Sequence, residues 1–225
     1  MPGTIESIWK QYLSEIYQDG HTHTKDDGDE ICEIIGVHKT IIEPHKIYML
    51  EINSQQFLYY TKRGHFDIEG YPLKGAALYE YIHSLEDKDA ITLTGENSFV
   101  YTYPQRIFNM EGMNQFEVVA KRLKNNSGSN RAVMCLYNVK LDNQEQHIPC
   151  LNFLQVLVRD GYLTLHCMFR SNDIFNAFPS NMLFLTYLGL KLSEELNVMF
   201  KGIDYHCTSA HYYKDAEELV KKVLE

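Results

Sequence analysis

A short turn between two apolar runs is the feature of this sequence that most restricts its fold. Residues 151–158 and 162–169 are both strongly apolar, and only Arg159-Asp160-Gly161 separates them. An Asp-Gly turn between two such runs favours a β-hairpin, because the tight turn needs residues that tolerate a positive φ. The sequence therefore predicts a pair of antiparallel strands, and any fold of this chain must include a sheet around them.

Helical and extended patterns alternate irregularly on both sides of this hairpin. Apolar residues at helical spacing predict helices over residues 6–17, 75–85, 113–124 and 181–197, and a closing helix that runs to Glu225. Extended segments are predicted at 33–42, 132–137, a short run through Tyr205 after a turn at Lys201-Gly202, and 209–213, with a polar loop at 21–29. We find no internal repeat or linker, so the sequence predicts one α+β domain over residues 1–225.

Composition excludes several classes of function. The net charge of −9 argues against a surface for a nucleic-acid polymer, since such a surface needs clustered basic residues. No apolar run is long enough to cross a membrane, and the first residues lack the basic-then-apolar order of a secretory signal. We therefore expect a cytoplasmic protein without a membrane partner, whose ligand is a small molecule that can still be anionic.

The five cysteines are scattered, odd in number and free of any CxxC pair, so neither disulfides nor structural zinc is predicted. Cys135, Cys167 and Cys207 lie in apolar runs, and we expect them to be buried core residues. His21 and His23 have acidic neighbours but no third ligand at metal-site spacing, so the sequence predicts no metal site.

Polar and nucleophilic side chains gather near the ends of the predicted hairpin. Cys150 follows Pro149 at the mouth of the first strand, where it is either a small core residue or a nucleophile whose thiolate a nearby cation would favour. Arg170 closes the second strand and is predicted to lie near that thiol. Asn181 stands near a helix start, where it is either a cap or a carboxamide that matches the edge of uracil.

These residues occur in an order and spacing that resemble one enzyme family. The motifs are Pro149-Cys150, the run Arg170-Ser171-Asn172-Asp173, Pro179 with Asn181, His211-Tyr212-Tyr213, Ser129-Asn130-Arg131 and Leu78-Tyr79-Glu80. Together they resemble the thymidylate synthase family, which includes the pyrimidine-nucleotide hydroxymethylases, in a short form like that of some archaeal enzymes. The match is strongest from Gly112 to Tyr213. It implies a mixed β-sheet flanked by helices.

The resemblance also implies a reaction and a role for each residue. Cys150 would add to carbon 6 of a pyrimidine nucleotide, so that carbon 5 takes a one-carbon unit from 5,10-methylenetetrahydrofolate. Glu80 would manage proton transfer through water. Asp173 would be a further catalytic residue, with its backbone or side chain near the base, and Asn181 would read the base edge. The remaining roles are phosphate binding by Arg170, Ser171 and the partner subunit's Arg131 in a homodimer, substrate binding by Asn172, and sugar contacts by His211 and Tyr213.

Several departures from the family pattern leave the product open. Asn130 replaces one of two usual arginines, Lys25 lies in a loop where an arginine is common, and Leu151 stands where many members have histidine. The only tryptophan is Trp9, so the family's shielding indoles are missing, as is its closing C-terminal tail. The first interpretation is methylation of dUMP to dTMP; the alternatives are a 5-hydroxymethylase acting on dUMP, dCMP or CMP, and a catalytically inactive nucleotide-binding protein.

Overall fold

The computed structural model describes residues 3–47, 50–84, 101–143, 145 and 147–225. Its helices are α1 (Ile5–Asp19), α2 (Ser54–Lys62), α3 (Gly75–His83), α4 (Tyr103–Phe108), α5 (Gln115–Asn125), α6 (Val139–Asp142), α7 (Phe178–Leu196) and α8 (Glu217–Leu224). Its strands are β1 (His21–Thr24), β2 (Glu30–Ile42), β3 (Val133–Cys135), β4 (Leu151–Arg159), β5 (Tyr162–Asp173) and β6 (Met199–Tyr213). A 3₁₀ turn (Lys214–Ala216) links β6 to α8.

The strands form one mixed sheet in the order β1-β2-β6-β5-β4-β3, and the predicted α+β class is confirmed. All neighbouring strands are antiparallel except β5 and β6, which run parallel and are linked through α7. The predicted hairpin is the β4–β5 pair, in which Arg159 faces Tyr162. Asp160 and Gly161 have φ of 51° and 80°, the positive values that the tight turn requires.

Helices α1 and α7 cover one face of the sheet and form the core with it. Tyr205 of β6 packs against Tyr12 of α1 and Phe178 of α7, at ring-centroid distances of 5.8 and 5.1 Å. Helix α7 is buried on nearly all sides, which explains its almost unbroken apolar sequence. Trp9 is fully buried and donates its indole N–H to the carbonyl of Ile174, 2.7 Å away, so α1 is tied to the end of β5.

The structure corrects four expectations of the sequence analysis. The polar segment 21–29 is not a plain loop, because His21–Thr24 pairs with β2. The predicted turn at Lys201-Gly202 is wrong, since both residues lie within β6, which runs unbroken from Met199 to Tyr213. The strand predicted over 132–137 contains only three residues, and Cys135 at its end is exposed rather than buried.

The predicted helices are confirmed with shifted ends. Helix α7 begins at Phe178, three residues before the predicted start, because Pro179 fits the first turn of a helix, where its missing N–H is not needed. Helix α3 ends at His83, and the predicted end at residue 85 lies outside the described residues. Within the described parts of the chain, no helix has the length and apolar character to span a membrane.

Candidate active site

Cys150 and Arg170 meet where the two strands of the central hairpin end. The backbone N–H of Arg170 donates to the Cys150 carbonyl at 2.9 Å, which fixes the two residues side by side. The guanidinium donates to the carbonyls of Pro149 (3.0 Å) and Ile148 (2.8 Å), and Nη2 lies 3.7 Å from the Cys150 thiol. Arg170 therefore holds the segment that carries the thiol and places a positive charge beside it.

The Cys150 thiol lies in a partly buried setting with opposing electrostatic effects. Burial raises the pKa of Cys150, while the positive charges of Arg170 and Lys25 act to lower it, and burial prevails. The thiol is therefore largely protonated at neutral pH when no ligand is bound. Arg170 and Lys25 are therefore the charges that favour the thiolate, against the effects of burial and of Asp173.

A buried hydrogen-bond network connects the two side-chain amides of the candidate site. Asn181 accepts a hydrogen bond from the Tyr81 hydroxyl (2.6 Å) and donates to the Asn172 carbonyl oxygen (3.2 Å). Asn172 donates in turn to the hydroxyl of Tyr205, at 3.1 Å. Asn172 and Asn181 are almost completely buried, so these contacts hold both amides in fixed orientations.

Tyr81 is a site residue that the sequence analysis missed, and Glu80 beside it lies elsewhere. Leu78 and Ile82 are the buried residues of α3, and Tyr81 shares their face because it is three residues after Leu78. Glu80 is exposed and lies on the other side of the helix. The sequence signal that separates Tyr81 from Glu80 is the helical spacing of Leu78 and Ile82, which puts Tyr81 on the buried face.

Ser171, His211 and Tyr213 come together at the neighbouring ends of β5 and β6. The Ser171 hydroxyl lies 3.4 Å from His211 Nδ1, and the rings of His211 and Tyr213 meet edge to face at 5.5 Å. Burial lowers the pKa of His211, although the carboxylate of Asp173 opposes this, so the neutral imidazole is favoured. The site therefore offers a hydroxyl, a neutral imidazole and a phenol within one small region.

Lys25 joins this region from the turn after β1. Its ammonium donates to the Tyr213 hydroxyl at 3.1 Å and to Asp27 at 2.7 Å. Burial lowers the pKa of Lys25, but the hydrogen bonds with Asp27 and Tyr213 outweigh this effect, so the pKa is raised. Lys25 therefore remains charged and adds a second cation near Cys150, at a position where the sequence analysis noted the loss of an arginine.

Two of the predicted residues differ from the others in their hydrogen bonds. Asp173 pairs with His211 across β5 and β6, but its carboxylate bonds outside the cluster. Asp173 accepts hydrogen bonds from the backbone and side-chain N–H groups of Asn176, which shape the turn before α7. Arg131 is exposed and precedes β3 at the edge of the sheet, where its backbone N–H donates to the Ser129 hydroxyl. The negative charge of Asp173 acts to raise the pKa of His211, so Asp173 affects the cluster electrostatically. Arg131 lies outside the cluster.

Three tyrosine rings stand near the thiol on the side of α3 and α4. Tyr81, Tyr101 and Tyr103 lie near Cys150. Each is close enough for a thiolate at Cys150 to raise the pKa of its hydroxyl group. Tyr103 also accepts a hydrogen bond from the N–H of Leu151, at 3.2 Å. Burial raises the pKa of all three hydroxyls, so they remain neutral. Their rings form an aromatic wall on this side of the thiol.

Comparison with known proteins agrees with this geometry. A family model described as thymidylate synthase matches residues 7–225. A protein of Methanothermobacter thermautotrophicus, named "Putative thymidylate synthase", is 30% identical over 225 residues, which cover 96% of each chain. A protein of the same name from Methanocaldococcus jannaschii is 33% identical over 164 residues, which cover 68% of this chain and 71% of the other. With a match over nearly its whole length, the chain belongs to the thymidylate synthase family.

Proposed function

We propose that this protein, as a single catalytic domain, transfers a one-carbon unit from 5,10-methylenetetrahydrofolate to carbon 5 of dUMP and forms dTMP. The observation that carries the proposal is the contact of the Cys150 thiol with Arg170, at 3.7 Å, at the same end of the sheet as the amide network of Asn181. This contact supports the proposal, because a thiol suited to nucleophilic attack, a guanidinium suited to an anion and an amide suited to a base edge lie near one another.

Cys150 supplies the nucleophile. Its thiolate adds to carbon 6 of the pyrimidine, and the electron pair displaced from the ring double bond makes carbon 5 nucleophilic. The folate, when bound, supplies the one-carbon unit and, for a methyl product, the hydride. Because burial raises the pKa of Cys150, the Arg170 and Lys25 charges are needed to stabilise the thiolate during the attack.

Arg170 and Ser171 are suited to the 5′-phosphate. The described contacts of Arg170 use three of the five N–H groups of a guanidinium, so two remain for phosphate oxygens. Ser171 follows Arg170 on β5, and its hydroxyl lies 3.4 Å from His211 Nδ1. His211 and Tyr213 lie on β6 and are suited to the sugar hydroxyls.

Arg131 is suited to this phosphate only from a second copy of the chain. Val133 pairs with Gln155 of β4, whereas Phe169, next to Arg170, pairs with Leu151. Gln155 and Leu151 are about 13 Å apart along β4, and β3 and β5 lie on opposite sides of it, about 10 Å from each other. Arg131 lies further still from Arg170, which supports a homodimer that shares this arginine.

Mixed dimers test the sharing of Arg131. A dimer of one Arg131→Ala chain and one Cys150→Ser chain contains one complete site only if the arginine acts across the interface. We expect each variant to be inactive alone and the mixture to recover up to about a quarter of wild-type activity by random pairing. No recovery, with exchange of chains verified by mass spectrometry, would remove Arg131 from a shared role.

Asn181 is suited to reading the base. Its described contacts use one acceptor site and one N–H, which leaves one acceptor and one N–H of the carboxamide. That pair matches the N–H and the adjacent carbonyl of uracil. Asn172 and Tyr81 fix the orientation of the Asn181 amide. The buried network therefore determines which amide atoms face the base, and this arrangement favours uracil.

A pyrimidine nucleotide 5-hydroxymethylase is the second candidate, and the position of Trp9 favours it. Trp9 is the only tryptophan, and it is fully buried in the core with its N–H bonded to Ile174, so no indole is available to shield the reacting carbon from water. The tyrosine wall favours the methylation instead, since Tyr81, Tyr101 and Tyr103 flank the thiol. The two reactions differ in the folate product.

Product analysis separates the two candidates. Incubation with dUMP and methylenetetrahydrofolate should yield dTMP and dihydrofolate in equal amounts. Formation of tetrahydrofolate with 5-hydroxymethyl-dUMP would contradict methylation and support the alternative. Parallel reactions with dCMP and CMP identify the nucleotide.

Covalent trapping tests whether the site is active at all. A 5-fluoro-dUMP ring cannot release its substituent as a proton, so the active enzyme should keep the nucleotide bound to Cys150 in the presence of the folate. We expect the adduct mass in the wild type and in Cys135→Ser, a matched change at an exposed cysteine, but not in Cys150→Ser. Absence of an adduct in all three would favour an inactive nucleotide-binding protein.

Proton transfer remains assigned to Glu80 in this proposal, and Tyr81 is the residue to compare with it. Glu80 is exposed in the single chain, whereas Tyr81 contacts Asn181 directly. If Glu80 transfers the proton, Glu80→Gln should lower kcat at least about a hundredfold, which is the scale of general acid–base catalysis. A normal rate in Glu80→Gln with a low rate in Tyr81→Phe would move that role to Tyr81.

A further inference from the structure

A cluster of histidines around one aspartate lies on the sheet face opposite to α1 and α7. Tyr205 points toward those helices, so its strand neighbours Asp204 and His206 point to the other face. The register places His38 of β2 directly opposite His206, and His166 of β5 directly opposite Asp204. Three neighbouring strands thus bring these residues to one place, far from Cys150 in the chain.

Every histidine of this cluster contacts the same carboxylate. Nε2 of His38 lies 2.6 Å from Oδ1 of Asp204, while Nδ1 of His166 and Nε2 of His206 lie 3.0 and 3.3 Å from Oδ2. The Thr40 hydroxyl donates to Oδ1 at 3.0 Å. None of the roles assigned above to the nucleotide or the folate uses this cluster.

The two histidines that face each other are arranged to act together. The rings of His38 and His206 stack at a centroid distance of 4.2 Å with an angle of 9° between their planes. One ring nitrogen of each histidine and a carboxylate oxygen of Asp204 all lie within 4.8 Å of one another. The ring planes are nearly parallel, so the exposed rings must rotate before both imidazoles can be ligands of one ion.

The carboxylate of Asp204 is held on both oxygens by neighbouring side chains. Thr40 holds one oxygen and His166 the other, so the carboxylate keeps an orienting partner whichever oxygen binds an ion. Partners of this kind commonly strengthen a metal site, because they fix the direction of the ligand.

We propose that His38, Asp204 and His206 bind a divalent transition-metal ion of the zinc type. An ion about 2.0–2.1 Å from two imidazole nitrogens and one carboxylate oxygen would separate these atoms by about 3.3 Å in tetrahedral geometry. His38 Nε2 and His206 Nε2 lie 2.6 and 3.3 Å from different oxygens of Asp204, so binding requires side-chain rotation that turns one oxygen and both nitrogens toward the ion. His166 and Thr40 position the carboxylate.

The donor set and its exposure decide which ions fit. Two imidazoles and one carboxylate suit zinc, copper and nickel, whereas magnesium and calcium prefer oxygen ligands only. The His38 and His206 side chains are 52% and 43% exposed, so an ion has access and a fourth position is open to water. A cluster held by hydrogen bonds alone would have no affinity for zinc, and this difference is measurable.

Titration with zinc alone tests the proposal. We expect the full chain at pH 7.5 to take up one Zn²⁺ per chain with a dissociation constant of 10 µM or lower, measured by competition with a chromogenic chelator. The double variant His38→Gln/His206→Gln should lose at least about a hundredfold in affinity. His65→Gln, a matched change at an exposed histidine away from the cluster, should bind zinc like the wild type.

A second variant and a spectroscopic measurement address the remaining explanations. His166→Gln should keep one zinc per chain but weaken binding about 10–100-fold, the range for residues that orient a ligand. Histidine side-chain NMR of the wild type should show zinc-dependent shifts for His38 and His206, which requires no variant to fold. Binding that is absent at 100 µM zinc, equal in the double variant, or matched by Mg²⁺ would overturn the proposal, and none of these results depends on catalysis.

Discussion

Asn181→Asp replaces the buried carboxamide with a carboxyl group of nearly the same size. The Tyr81 hydroxyl can donate to either group, so that contact is retained. The hydrogen bond from Asn181 to the Asn172 carbonyl oxygen is lost, because an ionised carboxylate has no N–H to donate. The perturbation is therefore confined to one internal contact and to the edge that faces the base.

Two effects of this substitution differ in whether they depend on the nucleotide. The lost contact leaves the buried Asn172 oxygen without this donor, which costs about 1–3 kcal/mol of stability in the protein whichever nucleotide is bound. The change at the base edge is worth about 1–3 kcal/mol for a bidentate contact. Because the first effect cancels between substrates, the ratio of kcat/KM for dCMP to that for dUMP should rise about 5- to 150-fold.

Release of tritium from carbon 5 is the assay of choice, since it reports activation of that carbon for both methyl and hydroxymethyl products. Nucleotides labelled at carbon 5 are compared in the wild type, in Asn181→Asp and in Asn53→Asp. Asn53 caps α2 at an exposed position, where aspartate is an equally good cap, so this control should keep the wild-type ratio. An unchanged ratio in Asn181→Asp, with the protein folded, would refute base reading by Asn181.

Three further predictions follow from particular contacts. Because burial raises the pKa of Cys150, iodoacetamide should modify it with a rate that increases with pH through a midpoint above that of an ordinary cysteine thiol, and a midpoint below the ordinary one would contradict the burial argument. Arg106→Met should lower the free energy of unfolding in urea by about 3–5 kcal/mol, since Arg106 pairs with fully buried Asp142 at 2.5 Å. A loss under about 1 kcal/mol would show that the ion pair contributes little to stability. Gly202→Ala should lower the free energy of unfolding by at least about 1–3 kcal/mol in the same assay. Gly202 has a φ of 151°, and a Cβ there would lie 2.0 Å from the carbonyl oxygen of Ile41. Wild-type stability of this variant would show that the strands can separate at this point.

Local patterns were enough to predict much of the fold and part of the site. The Asp160-Gly161 turn, the helical spacing in α1 and α7, and the position of Arg170 beside Cys150 all depend on residues close in the chain or joined by one hairpin. Such features are determined by backbone preferences and by short-range periodicity, which a sequence displays directly. The family resemblance added the fold and the order of the site residues.

Other features depend on strand partners that are distant in sequence. Gly202 suggested a turn, yet it lies within β6. The residue there is glycine because its close contact with the Ile41 backbone leaves no room for a side chain. Cys135 lies in an apolar run but is exposed, since burial depends on which face of an edge strand is covered. Tyr81 contacts Asn181 through the packing of α3 on α7, which no local pattern indicated.

What the sequence alone determined is the hairpin, the class of the fold and the chemical groups available to the site. Only the tertiary structure decided that Asn172, Asn181 and Tyr81 form one buried network, and that His38 and His206 meet around Asp204. The physical reason is that register between strands follows from packing of the whole core, so residues 166 positions apart become neighbours without any local signal.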